Sequence, residues 1–158
     1  MRHLIILSLT ILLFGCSSSE EVKWSTESLT VTASGPLFEG SNTGTYEWDI
    51  DLTKALEGLD DLSQLSEARL LDITVKAEDP DMVEDVTIQL AGEKSGMQKV
   101  AFMDGSGKIQ VAEKQENLAS FFQDKYPTVV ADFNILDDWF DDFIFDVELT
   151  FTFKIKAQ

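Results

Sequence analysis

The sequence predicts a mainly β protein: a single antiparallel β-sandwich of immunoglobulin-like architecture, with about eight strands and short helical insertions. Two observations carry this expectation. Apolar and polar residues alternate with period two over many short stretches, and glycine, proline, serine and aspartate stand between those stretches as turn signals. Strands this frequent, each with one polar face, favour two packed antiparallel sheets over a parallel βαβ arrangement.

Taken in chain order, Leu29-Thr30-Val31-Thr32-Ala33 is the first alternating run. Residues 46–52 follow, with Trp48, Ile50 and Leu52 on one face and Asp49 and Asp51 on the other. A helical interruption is expected at 52–59. Residues 71–77 and 86–90 repeat the alternation, and the runs 99–103 and 108–112 flank Asp104-Gly105-Ser106-Gly107, whose glycines permit the positive φ of a tight hairpin. Residues 115–126 carry Leu118, Phe121 and Phe122 as a compact apolar stripe and predict a second helix. Across 135–144, helical spacing puts Ile135, Leu136, Trp139, Phe140 and Phe143 on one arc, with Asp137, Asp138, Asp141 and Asp142 opposite. A short helix capping the sandwich is expected there, aromatics inward. Residues 143–157 give the clearest strand, with seven apolar positions from Phe143 to Ile155 in strict alternation.

Before all of this stands Leu13-Phe14-Gly15-Cys16, at the end of an apolar run that begins at Leu4 and follows Arg2 and His3. The run is too short to span a bilayer, which takes about 20 apolar residues, and has the layout of an export signal. The four residues resemble the lipobox of bacterial lipoproteins. That resemblance implies lipidation of the Cys16 sulfur, cleavage before it, and anchoring of the domain by acyl chains. It divides the chain into a signal peptide (1–15), a lipidated cysteine with a polar tether (16–22) and an acidic sandwich domain (23–158). Ser17, where an aspartate would favour inner-membrane retention, implies an outer-membrane destination. Ser17-Ser18-Ser19-Glu20-Glu21 is also similar to acidic tethers that send some lipoproteins to the cell surface; its plain alternative is a flexible linker. Residues 17–22 reach only about 20 Å at roughly 3.3–3.6 Å per residue, so the domain is expected close to its membrane.

Lysine and arginine total 12 against 29 aspartates and glutamates, a net charge of −17, and loss of Arg2 with the signal takes it to −18. Nucleic acid is excluded as a partner, because binding it needs a basic footprint. Acidity favours basic proteins, cationic peptides or divalent metals, or simply keeps an exported protein soluble. The one histidine, His3, leaves with the signal and the one cysteine is Cys16. Serine-histidine and cysteine-histidine nucleophiles and histidine-bound zinc are thereby absent, as is any disulfide framework, so stability must come from a core. The expectation is a protein that is not an enzyme.

Four groups of residues merit weighing as sites. Asp79 and Asp81, with Glu84 and Asp85, lie between two strands where a loop could fold carboxylates around calcium; an acidic turn built by Asp-Pro chemistry is the favoured reading. The aspartates of 135–144 diverge on a convex helix and encircle nothing. Trp24, Trp48 and Trp139 offer a sugar-stacking platform, and Asp49 and Asp51, about 7 Å apart on one strand face, the spacing of an inverting glycosidase; core against solvent is the economical reading. The phenylalanine-rich last strand could line a lipid cavity or be ordinary core. The leading expectation is therefore a membrane-anchored envelope lipoprotein engaging another protein, with a small-ligand module for a glycan or lipid as the alternative.

Overall fold

The structure is a computed structural model and describes residues 19–156. The expected signal peptide, Cys16 and the start of the tether lie outside the described residues. Nine strands and two one-turn helices follow in order: β1 (Ser19–Ser25), β2 (Leu29–Ala33), β3 (Gly40–Glu47), α1 (Leu52–Ala55), β4 (Leu65–Ala77), β5 (Val83–Gly92), β6 (Gly96–Met103), β7 (Ile109–Val111), α2 (Ala119–Phe122), β8 (Thr128–Ile135) and β9 (Phe143–Lys156). The protein is mainly β and every strand pair is antiparallel. All nine strands belong to one curled sheet, ordered β1-β9-β2-β3-β8-β5-β6-β7, with β4 on the other edge of β9.

β9 organises the molecule. One edge pairs with β2 over Phe143 to Val147 and with β1 over Thr150 to Lys156, and the opposite edge pairs with β4. Its alternation holds along the whole strand: Phe143, Phe145, Val147, Leu149, Phe151, Phe153 and Ile155 are all buried. β1 corrects the expected tether, because Ser19 to Val22 pair with β9 residues 153–156 instead of standing free.

Curling brings β7 beside β4 without pairing them. Part of that seam is closed by side-chain amides. Gln115 accepts from the Leu70 N–H at 3.0 Å and donates to its carbonyl at 2.9 Å, while Asn117 accepts from the Ala68 N–H and donates to the Ser66 carbonyl. These amides stand in for a missing strand and blunt an edge. Their use explains why the helix expected over 115–126 shrinks to α2: its first residues are extended along β4.

The helix expected over 52–59 likewise shortens to α1, with Asp51 as its N-cap and Leu56 and Leu59 buried beyond it. The strand expected at 46–52 is displaced upstream into β3, which ends at Glu47. β8 was not anticipated, although Val129, Ala131, Phe133 and Ile135 alternate with Asp132 and Asn134 and only buried Val130 breaks the period. The hairpin at Asp104 to Gly107 forms as expected, with Gly107 at φ +78°.

No helix is present over 135–144. After Ile135 the chain leaves β8 and makes an isolated bridge between Trp139 and Leu37. Helical periodicity there was outweighed by long-range pairing with residues 35–39, which offer backbone partners that a local pattern cannot show.

Candidate docking surface at the tip of the sheet

Three adjoining segments end the sheet where β3, β5 and β8 meet. Ile135 is in register with Gly40 on one side and Val83 on the other, and the Leu136 N–H continues to the Met82 carbonyl at 3.0 Å. The Leu37–Trp139 bridge is held by two backbone hydrogen bonds of 2.7 and 3.0 Å. Neighbours of a bridged pair project to the opposite side of the ribbon. Leu37 and Trp139 thus turn inward, Trp139 packing edge-on against Phe143 at 5.3 Å, and Phe38 and Phe140 turn outward. Opposite-strand residues offset in this way are within reach of each other when aromatic. Leu136, following buried Ile135, points outward too. Phe140 is 78 % exposed, Phe38 64 % and Leu136 55 %, three of the six large apolar side chains that the described residues leave exposed.

This tip is braced. Asp138 accepts from the Glu39 N–H and Asp142 from the Gly35 N–H, both at 3.0 Å, and the Trp139 indole N–H donates to the Asp142 carbonyl. Two of the four aspartates expected on a solvated helical face are therefore cross-links between loops. Asp137 accepts from the Asp138 N–H, while Asp141 and Glu39 are exposed at the rim. The electrostatics are one-sided: residues 24–53, 77–93 and 126–153 contain no lysine or arginine. Lys23 and Arg69, both in register with Thr152, and Lys154 and Lys156 at the end of β9 lie toward the other pole, whereas Lys76, in register with Asp146 and lining a cleft with Pro80 and Val83, is nearer the tip. Ser19 is there as well, opposite Lys156. β9 runs from the tip to that pole, roughly 40 Å at about 3.3 Å per residue.

Comparison with known proteins leaves the surface to be read on its own chemistry. No family model, curated protein or solved structure matches this chain.

The residues singled out from the sequence fall in several places. Trp48 is buried, stacked on half-buried Trp24 at 6.3 Å and surrounded by Phe121, Phe122 and Phe151, whereas Trp139 packs with Phe143 toward the tip. The three tryptophans form no platform. Asp51 caps α1, accepts from the Thr53 N–H and hydroxyl, and pairs with Lys54 at 2.7 Å, while Asp49 is exposed and acts on Lys54 through its charge alone. The Lys54 and Thr53 contacts hold the Asp51 carboxyl at about 2.

Asp79 caps the 3₁₀ turn Pro80–Met82 by accepting from the Asp81 N–H, Asp85 accepts from the Asn134 amide, and Glu84 is exposed. Among the described residues no three acidic, histidine or cysteine groups are grouped to hold a metal ion. The open part of the β4–β7 seam forms a cleft of about 230 Å³ lined by Val75, Ala77, Val83, Met103, Ile109 and Phe145. Phe38 was missed from the sequence because its segment shows no periodicity, and Leu136 and Phe140 were assigned to the inward arc of a helix. The signal that could have found them is the absence of lysine and arginine from long stretches that also hold Phe38 and Phe140.

Proposed function

We propose that this protein is a lipid-anchored component of a bacterial outer membrane, held through Cys16, whose β domain is not catalytic and docks another protein. The observation that carries the reading is the exposure of Phe38, Leu136 and Phe140 on adjoining, backbone-bridged segments at the pole opposite Ser19. Exposed apolar patches on a rigid scaffold mark interaction sites. A chain tethered near Ser19 presents those side chains away from the membrane. The test places a photo-crosslinking amino acid at Phe140, and at exposed Glu57 as control, in the full chain in its native cells. A discrete product from position 140 alone is expected. Equal yields at both positions, or none, would remove the docking reading. Cys16→Ala should at the same time move the protein out of the membrane fraction.

The seam cleft supports a second reading, a small apolar ligand. Its 230 Å³ suits the end of an aliphatic chain rather than a whole lipid. Decanoate or decanol should then raise the thermal midpoint of the wild type and not of Val75→Trp, which fills the cleft.

A further inference from the structure

The charge distribution names the chemistry of the partner. Resting on the docking reading above, we infer that the tip receives a protein surface whose centre is aliphatic or aromatic and whose rim carries lysine or arginine. Asp138 and Asp142 spend an oxygen each on the Glu39 and Gly35 N–H groups, which fixes the loops. Glu39 and Asp141 remain exposed at the rim, adjacent in sequence to Phe38 and Phe140. Among the described residues no ion pair joins a lysine or arginine to either of them. An acidic or anionic partner would bring like charges together around a desolvated aromatic centre, which is unfavourable. A cationic rim would complement them, steering encounter electrostatically while the aromatics set how slowly the complex separates. An anionic membrane is disfavoured as occupant by the same argument.

The experiment uses the full chain in its native cells with the photo-crosslinker at Phe140, comparing low and high salt and adding Glu39→Lys/Asp141→Lys to the labelled protein. Neither carboxylate braces the tip, so the double variant should keep its fold, checked by its melting curve; Glu39→Gln/Asp141→Asn is the milder companion. The expected result is a position-specific product whose yield falls about tenfold with a tenfold rise in salt and with charge reversal, and less with neutralisation. Loss of yield in a variant that melts early is discounted in favour of the companion. A product indifferent to salt and to both variants overturns the cationic partner and leaves docking intact. No product at any salt removes the docking reading itself. Phe140-dependent co-sedimentation of the protein with phosphatidylcholine or phosphatidylglycerol vesicles would assign the tip to a membrane and overturn the inference.

Discussion

Gly35 lies against the backbone of Asp141 so closely that a Cβ at position 35 would stand 2.2 Å from the Asp141 carbonyl oxygen. Backbone on both sides leaves no flexible side chain to yield. Gly35→Ala should therefore lower stability by about 1–3 kcal/mol, read as a reduced denaturant midpoint at unchanged slope. The need for glycine here was invisible in the sequence, as were the roles of Asp138 and Asp142, because their partners are 99 and 107 residues away. Asp51 shows the opposite case. Its cap on α1 and its pairing with Lys54 are local, two and three residues on, so the pattern was within reach of a close reading.

Among the strands, β4 shows how an element can follow the right period and still misplace a side chain. The alternation over 71–77 put Leu71 inside with Ile73, Val75 and Ala77. A register shift between Leu70 and Asp72 inserts one residue, so Leu70 and Ile73 are buried and Leu71 is 50 % exposed. Leu71→Lys should change stability by no more than about 0.5 kcal/mol, as surface substitutions do, whereas Leu70→Lys should prevent folding at ordinary temperature. Chemical denaturation of the two variants separates them. Gln115→Ala tests the same strand from outside: it leaves the Leu70 N–H and carbonyl without their partner at the seam and should cost about 1–3 kcal/mol. Bulges and amide substitutes of this kind depend on what a strand meets, which a period of two does not encode.

For the whole molecule, the acidic groups give stability a definite pH dependence. Hydrogen bonds from Lys54 and Thr53 lower Asp51 from 3.8 to about 2. Asp104 is lowered by Ser106 and the Lys108 N–H, and Glu67 chiefly by Lys154. Burial pushes Asp124 upward, but hydrogen bonds from Ser95 and from the Lys94 and Ser95 N–H groups outweigh it and leave it lowered. A carboxyl depressed in the folded state binds its proton more readily when unfolded, so its contribution is present above the unfolded value and fades as pH falls through the folded one. Wild type should melt above Asp51→Asn at pH 5, and that gap should close between about pH 4 and pH 2. Melting curves of the two proteins across that range check the sign.

The sequence by itself determined the class of the fold, the long last strand, the hairpin at Asp104 to Gly107 and the acidic character, because each follows from local alternation, turn chemistry or simple count. Tertiary structure alone decided that residues 135–144 bridge to Leu37 instead of coiling, that Trp24 stacks on Trp48 while Trp139 packs apart against Phe143, and that Phe38, Leu136 and Phe140 are exposed at the end opposite the chain start. The physical reason is the same in each instance. A backbone group must find a hydrogen-bond partner and an aromatic ring must find a cavity, and when those partners come from distant strands they override the local pattern.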